Sequence, residues 1–154
     1  MIGLVLIAHQ PLASALATAA SHVYECAPAM ATEQVAVFDI TPDADLDAAV
    51  ARARELVASV DRGDGVIVLT DVFGATPGNV ATQMAEPGRV AVLGGVNLPM
   101  LLRTLCYRET KLAAAVEKAL SGGTQGVTQV TATPVQNQQN RAAANDQSRL
   151  HHQQ

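Results

Sequence analysis

The chain has 154 residues, 49% hydrophobic and 16% charged, with 10 basic and 14 acidic side chains giving a formal net charge of -4. That length fits one globular domain, which can bury roughly 70% of its unfolded surface without a disulfide or metal staple. The acidic balance, the 3% aromatic content and the lack of Trp argue against a nucleic-acid partner. No run of ~18 apolar residues occurs, which argues against membrane insertion.

Met1 to Ala8 is apolar but has neither basic leader nor cleavage site, so it does not read as a secretory signal. Within it, Ile2 to Ala8 is continuous and β-branched, as a strand covered on both faces should be. Leu12 to Tyr24 follows with helical spacing, and Gln34 to Ile40 reads as a second strand. Leu46, Val50, Ala53, Val57 and Val60 form the apolar stripe of a second helix, ended by Gly63 and Gly65. Val66 to Leu69 is the third strand. Thr76-Pro77 predicts a helix start, with Thr76 as N-cap and Pro77 at the first helical position, and this helix runs to about Ala85. Arg89 to Leu93 is the fourth strand. Pro99 opens another helix, and the stripe of Leu112, Val116 and Leu120 continues to a stop at Gly122-Gly123. Alternating Val and Thr predict an exposed fifth strand over Val127 to Val135.

This alternation predicts an α/β fold, a doubly wound, mainly parallel four-stranded sheet with helices on both faces. The domain is expected over residues 1–135. Nine of the 19 residues from Gln136 to Gln154 are Asn or Gln, so 136–154 reads as a disordered tail, with His151-His152 exposed in it rather than ligating a metal. Cys26 and Cys106 form no CxxC pair and read as free, buried thiols in a reducing cytosol.

In an open parallel sheet, ligands bind beyond the carboxyl ends of the strands. His9 is the sole His at such an end. A neutral imidazole is a good nucleophile titrating near ~6.5, and needs a neighbour to fix its tautomer. Asp71 ends the third strand, which in a doubly wound sheet can lie beside the first. A His that caps a helix or meets a backbone carbonyl remains the alternative. Gly74, Thr76 and Gly78 surround a helix start, where amides and the helix dipole suit a phosphoryl oxyanion; an ordinary capped turn is the other reading. Asp39, Thr41 and Asp43 follow the second strand. Gly94-Gly95 permit a tight turn, and Asn97 reads as a cap for the helix at Pro99, with a supporting role at the site as the alternative. His22 reads as a surface or packing residue. Walker A, GxGxxG and GxSxG motifs are absent.

Three segments together resemble a known family: Gly3-Leu4-Val5-Leu6-Ile7-Ala8-His9, then Leu69 through Asn79, then Gly94 through Leu101. The chain resembles the mannose-type enzyme IIA domain of the bacterial phosphoenolpyruvate:sugar phosphotransferase system, across residues 1 to about 130. The resemblance implies that His9 is phosphorylated, that Asp71 orients its ring and that the loop through Thr76 helps hold the phosphoryl group. It implies HPr as donor and an enzyme IIB as acceptor, with no cofactor and no metal. It further implies a cytoplasmic homodimer that exchanges a C-terminal strand, for which Val127–Val135, running antiparallel, is the candidate. Amides near Thr76 and near Pro11 are expected to receive the phosphoryl oxygens, since the loops carry no Arg or Lys. The chain departs from the family in Gln10-Pro11 after His9 and in having no IIB domain following. Two further readings stay open: a regulatory module read out by its phosphorylation state, and the phosphotransfer subunit of a dihydroxyacetone kinase. A flavodoxin-like flavin module is disfavoured, because the loop after the first strand lacks a Ser/Thr-Gly phosphate cradle.

Overall fold

The computed structural model describes residues 1–130. Ten elements follow in chain order: β1 (Gly3–His9), α1 (Leu12–Val23), α2 (Pro28–Thr32), β2 (Val35–Ile40), α3 (Leu46–Val60), β3 (Val66–Thr70), α4 (Thr76–Thr82), β4 (Val90–Leu93), α5 (Leu98–Cys106) and α6 (Leu112–Gln125). The strands form one sheet in the order β2-β1-β3-β4, with every neighbouring pair parallel. This is the expected doubly wound α/β sheet.

The continuous apolar strands are explained by the two layers that cover them. Leu4, Leu6 and Ala8 of β1 join Ile67 and Leu69 of β3 in one core with α1, α5 and α6. Val5 and Ile7 point the other way, into a core with Val66, Val68, Ala53 of α3 and Val80 of α4. Successive residues of a strand face opposite sides, so a strand buried on both has no polar position left. In β1 and β3 two polar residues break the pattern, both at strand ends: His9, exposed at the end of β1, and Thr70, buried at the end of β3.

Several local expectations are corrected. Gly122 and Gly123 do not end the last helix; they lie inside α6. A Cβ on Gly122 would stand 2.6 Å from Cβ of Arg103, and one on Gly123 2.6 Å from Cε of Met100. The two glycines are there to let α6 approach α5, not to stop the helix. Ala75, not Thr76, is the N-cap of α4, which places Pro77 one position further in and leaves the cap without a side-chain hydrogen bond. That helix ends at Thr82, ahead of the expected Ala85. The five-residue α2 was not expected, being too short to show a period. Both cysteines are exposed rather than buried; the Cys106 sulfur lies 2.7 Å from the Tyr24 hydroxyl. Of the Val127–Val135 run, residues 127–130 are exposed and belong to no helix or strand, while 131–135 lie outside the described residues. So do the 136–154 segment and His151-His152.

Arg108 is buried at 1% exposure after α5. Its Nη1 donates to the carbonyl of Glu33 at 2.7 Å and its Nη2 to that of Met30 at 2.9 Å. A buried guanidinium is retained where it satisfies carbonyls that would otherwise be stranded. Here it ties the end of α2 to the segment after α5.

Candidate functional site

β1 leads into α1 on one face of the sheet, and its neighbour β3 leads into α4 on the other. The carboxyl ends of these two strands therefore part, which makes their junction the topological switch point where such sheets bind ligands. His9 closes β1 and Asp71 immediately follows β3. The register sets Ile7 against Thr70, so the two residues meet at one edge.

The predicted pair forms. Nδ1 of His9 lies 2.7 Å from Oδ2 of Asp71, and the His9 backbone N–H donates to the same oxygen at 3.1 Å. Oδ1 of Asp71 accepts the N–H of Val72 at 2.8 Å. The His9 side chain is 51% exposed and that of Asp71 only 9%. Burial pushes the Asp71 carboxyl upward, but the His9 ring, the two backbone N–H groups and the charge of His9 together hold it below the usual carboxylate range. An ionised carboxylate only accepts hydrogen bonds, so the ring proton sits on Nδ1 and the lone pair on Nε2. The chemistry available is that of an oriented, solvent-facing nucleophilic imidazole.

The backbone around the pair is pinned from three sides. The N–H of Gly95 donates to the Asp71 carbonyl at 2.9 Å, and that of Val96 to the Thr70 carbonyl at 2.9 Å. The N–H of Gln10 donates to the Ile40 carbonyl at 3.0 Å. Gly74 turns the loop with φ +88°, and Gly78 brings α4 under it: a Cβ there would stand 2.5 Å from the Val72 carbonyl oxygen. Thr76 is exposed at the first position of α4. Chain continuity thus puts Gly74, Thr76 and Gly78 on the loop and first turn that begin at Asp71. The amides of Thr76 and Gly78 have no protein acceptor among the described residues, as first-turn amides of a helix do not.

Asn97 holds the cap that the sequence gives it. Its Oδ1 accepts the Met100 N–H at 2.9 Å while Nδ2 donates to the Gly123 carbonyl at 3.0 Å, so its amide ties α5 to α6. The expectation that amides near Pro11 are free for an anion is corrected for two of them, the Leu12 N–H having no acceptor among the described residues. The N–H groups of Ala13 and Ser14 donate to Oδ1 of Asp39 at 2.9 and 3.2 Å. The sequence marks Asp39 as a strand-end residue but gives no sign of this role; its one signal is an α1 that starts without a capping side chain of its own. His22 is exposed on α1. Among the described residues no three His, Cys, Asp or Glu side chains gather as a metal ion would need.

A doubly wound sheet with a histidine–carboxylate pair at its switch point defines the class. The chain belongs to the family described as the PTS system fructose IIA component (EIIA-man), whose model it matches over residues 3–121. It is 30% identical over 107 residues to the PTS system mannose-specific EIIAB component of Escherichia coli K12, a match covering 68% of this chain and 33% of that protein. It is 49% identical over 45 residues to the PTS system fructose-specific EIIA component of Bacillus subtilis, covering 29% of this chain and 31% of that one. The chain thus spans about a third of the length of these curated relatives. Among solved structures, the mannose/sorbose specific IIA subunit from Enterococcus faecalis superposes with a TM-score of 0.74 at 19% identity, covering 87% of this chain and 98% of that one. EIIA from Streptococcus agalactiae gives 0.71 at 21% identity, covering 84% and 97%. At those identities the two structures speak for the fold.

Proposed function

We propose that this protein is a phosphoryl carrier of the sugar phosphotransferase system, with His9 accepting the phosphoryl group from phosphorylated HPr and passing it to an enzyme IIB. The observation that carries this reading is the His9–Asp71 pair: Nδ1 is tied at 2.7 Å to a carboxylate and Nε2 is left to react. In the transfer, Nε2 attacks phosphorus in line; its N–P bond forms as the donor's N–P bond breaks, and the donor imidazole leaves. Such transfers depend on positioning and on electrostatics around the equatorial oxygens. Asp71 stabilises the positive charge that builds on the ring. The amides of Thr76 and Gly78, with the Thr76 hydroxyl, are the donors to the phosphoryl oxygens. Gly74 lets their loop fold over the site, and Asn97 supports it only indirectly, as a cap. No cofactor or metal is called for. No helix among the described residues is long and apolar enough to cross a membrane. We assign the protein to the cytoplasm, where these partners act, and take it to be a homodimer.

The test is incubation with phosphoenolpyruvate, enzyme I and HPr, followed by intact-mass measurement. The expected product carries one acid-labile phosphoryl group, and His9→Ala should carry none. A His9→Ala protein that still takes up the group would remove His9 from the reaction.

A further inference from the structure

Asp39 lies one residue before the end of β2, opposite Ala8 of β1 in the register. α1 begins three residues after His9, and its N-cap, Pro11, makes no side-chain hydrogen bond. The first turn of α1 contains no acidic residue either. Helix starts lacking such a cap leave amides unsatisfied and fray. Here the cap comes from another strand: Oδ1 of Asp39 takes the N–H groups of both Ala13 and Ser14, at 2.9 and 3.2 Å. Next to it, the Ile40 carbonyl holds the Gln10 N–H at 3.0 Å. The end of β2 therefore grips both the connector after His9 and the helix it enters.

We propose that Asp39 is a positioning residue of the phosphotransfer site, fixing through the first turn of α1 the connector that presents the His9 ring. This rests on His9 being the phosphorylated residue. A connector of only Gln10 and Pro11 transmits any shift of α1 to His9. A ring displaced by a fraction of an ångström loses its line on both Asp71 and the incoming phosphorus. Asp39 has a second effect. Its carboxylate occupies the Ala13 and Ser14 amides of α1, which leaves fewer donors there and favours the loop on the α4 side for the phosphoryl oxygens.

The experiment compares Asp39→Ala, Asp39→Asn and Asp39→Glu with the wild type. Two quantities are read: the single-turnover rate of transfer from saturating phosphorylated HPr, and the 15N shifts of the His9 ring without any partner. Asp39→Ala is expected to slow transfer about tenfold or more and to move the ring shifts. Asp39→Asn keeps an acceptor oxygen in place and should restore both, the rate to within about twofold. Asp39→Glu keeps the charge but displaces the acceptor, so it should behave like Asp39→Ala and serves if the alanine protein does not fold. A folded Asp39→Ala or Asp39→Glu protein with wild-type rate and shifts would overturn the assignment. So would an Asp39→Asn protein as impaired as the alanine variant, since charge rather than the cap would then matter. A wild-type protein that takes no label defeats the phosphocarrier reading instead, and the ring shifts alone then decide the role of Asp39.

Discussion

At the edge of β1 and β3, both oxygens of one carboxylate are engaged by groups that belong to the site itself. Asp71 accepts the ring and backbone N–H groups of His9 on one oxygen and the N–H of Val72 on the other. Asp71→Asn has one acceptor oxygen where two are needed, and its amide can donate to Nδ1, moving the ring proton to Nε2. Transfer from phosphorylated HPr should fall about 10²-fold in that variant while its circular dichroism stays native. Because folding holds the Asp71 carboxyl below its ordinary 3.8, its contribution to stability is present above that pH and is lost as pH falls below it. Urea midpoints measured downward from pH 5 should therefore drop less steeply in Asp71→Asn than in the wild type. Neighbouring Thr70 is 2% exposed and its hydroxyl has no hydrogen-bond partner. Thr70→Val keeps the shape and removes a stranded polar group, so it should be as stable as the wild type or up to about 1–2 kcal/mol more stable in urea unfolding.

The residues of this pair are readable in the sequence because His9 directly follows one apolar run and Asp71 follows another after a single Thr, at strand ends where a charged or titratable side chain has no reason of packing to be. Asp39 stands in the same kind of place. Its task was hidden because it depends on the register of β2 against β1 and on what α1 lacks, neither of which lies in a local pattern.

Among the elements, the four strands and the long helices follow from hydrophobic period alone. The errors fall where one residue type serves two purposes. Glycine after a helical stripe reads as a stop, yet Gly122 and Gly123 thin one face of α6 against Arg103 and Met100 of α5. Gly122→Ala tests this. Ordinary helix propensity favours alanine by about 1 kcal/mol, whereas overpacking costs about 1–3 kcal/mol. With Cβ of Arg103 at 2.6 Å and the Pro99 carbonyl oxygen at 3.1 Å from the new methyl, overpacking should win. A thermal melt is expected to show a lower midpoint; a higher one would mean the helices part freely. Thr76-Pro77 is misread by one position for a similar reason: proline tolerates either of the first two helical positions, since neither N–H has a partner within the helix.

For the molecule as a whole, the reactive corner and the open edge of the sheet are separate features. Outward of β4, no strand pairs among the described residues, and only Val90 is covered, by an isolated antiparallel bridge to Glu86. Unpaired edges invite another chain, and we propose a second subunit as the occupant. Removing residues 127–154 should convert a dimer into a monomer in analytical ultracentrifugation, while the intact chain sediments as the dimer. At the reactive corner, Phe73 is 85% exposed and Val72 54%, directly after Asp71. Apolar side chains beside a nucleophile suit contact with a partner protein. Phe73→Ala is expected to raise KM for phosphorylated HPr several-fold, by about 1–2 kcal/mol, with kcat little changed.

The His9 ring, the proposed acceptor, is already aimed before anything binds, its inner nitrogen moored to Asp71. On the proposed reading, loading would leave the hydrogen bond to Asp71 in place and alter mainly the electric field at one corner, where a group of strong negative charge would replace a lone pair. Full and empty carriers would then share a silhouette, and whatever discriminates between them would sense potential rather than contour. Such recognition fades as the Debye length shortens, so the exchange of this protein between its donor and its acceptor should be markedly sensitive to ionic strength.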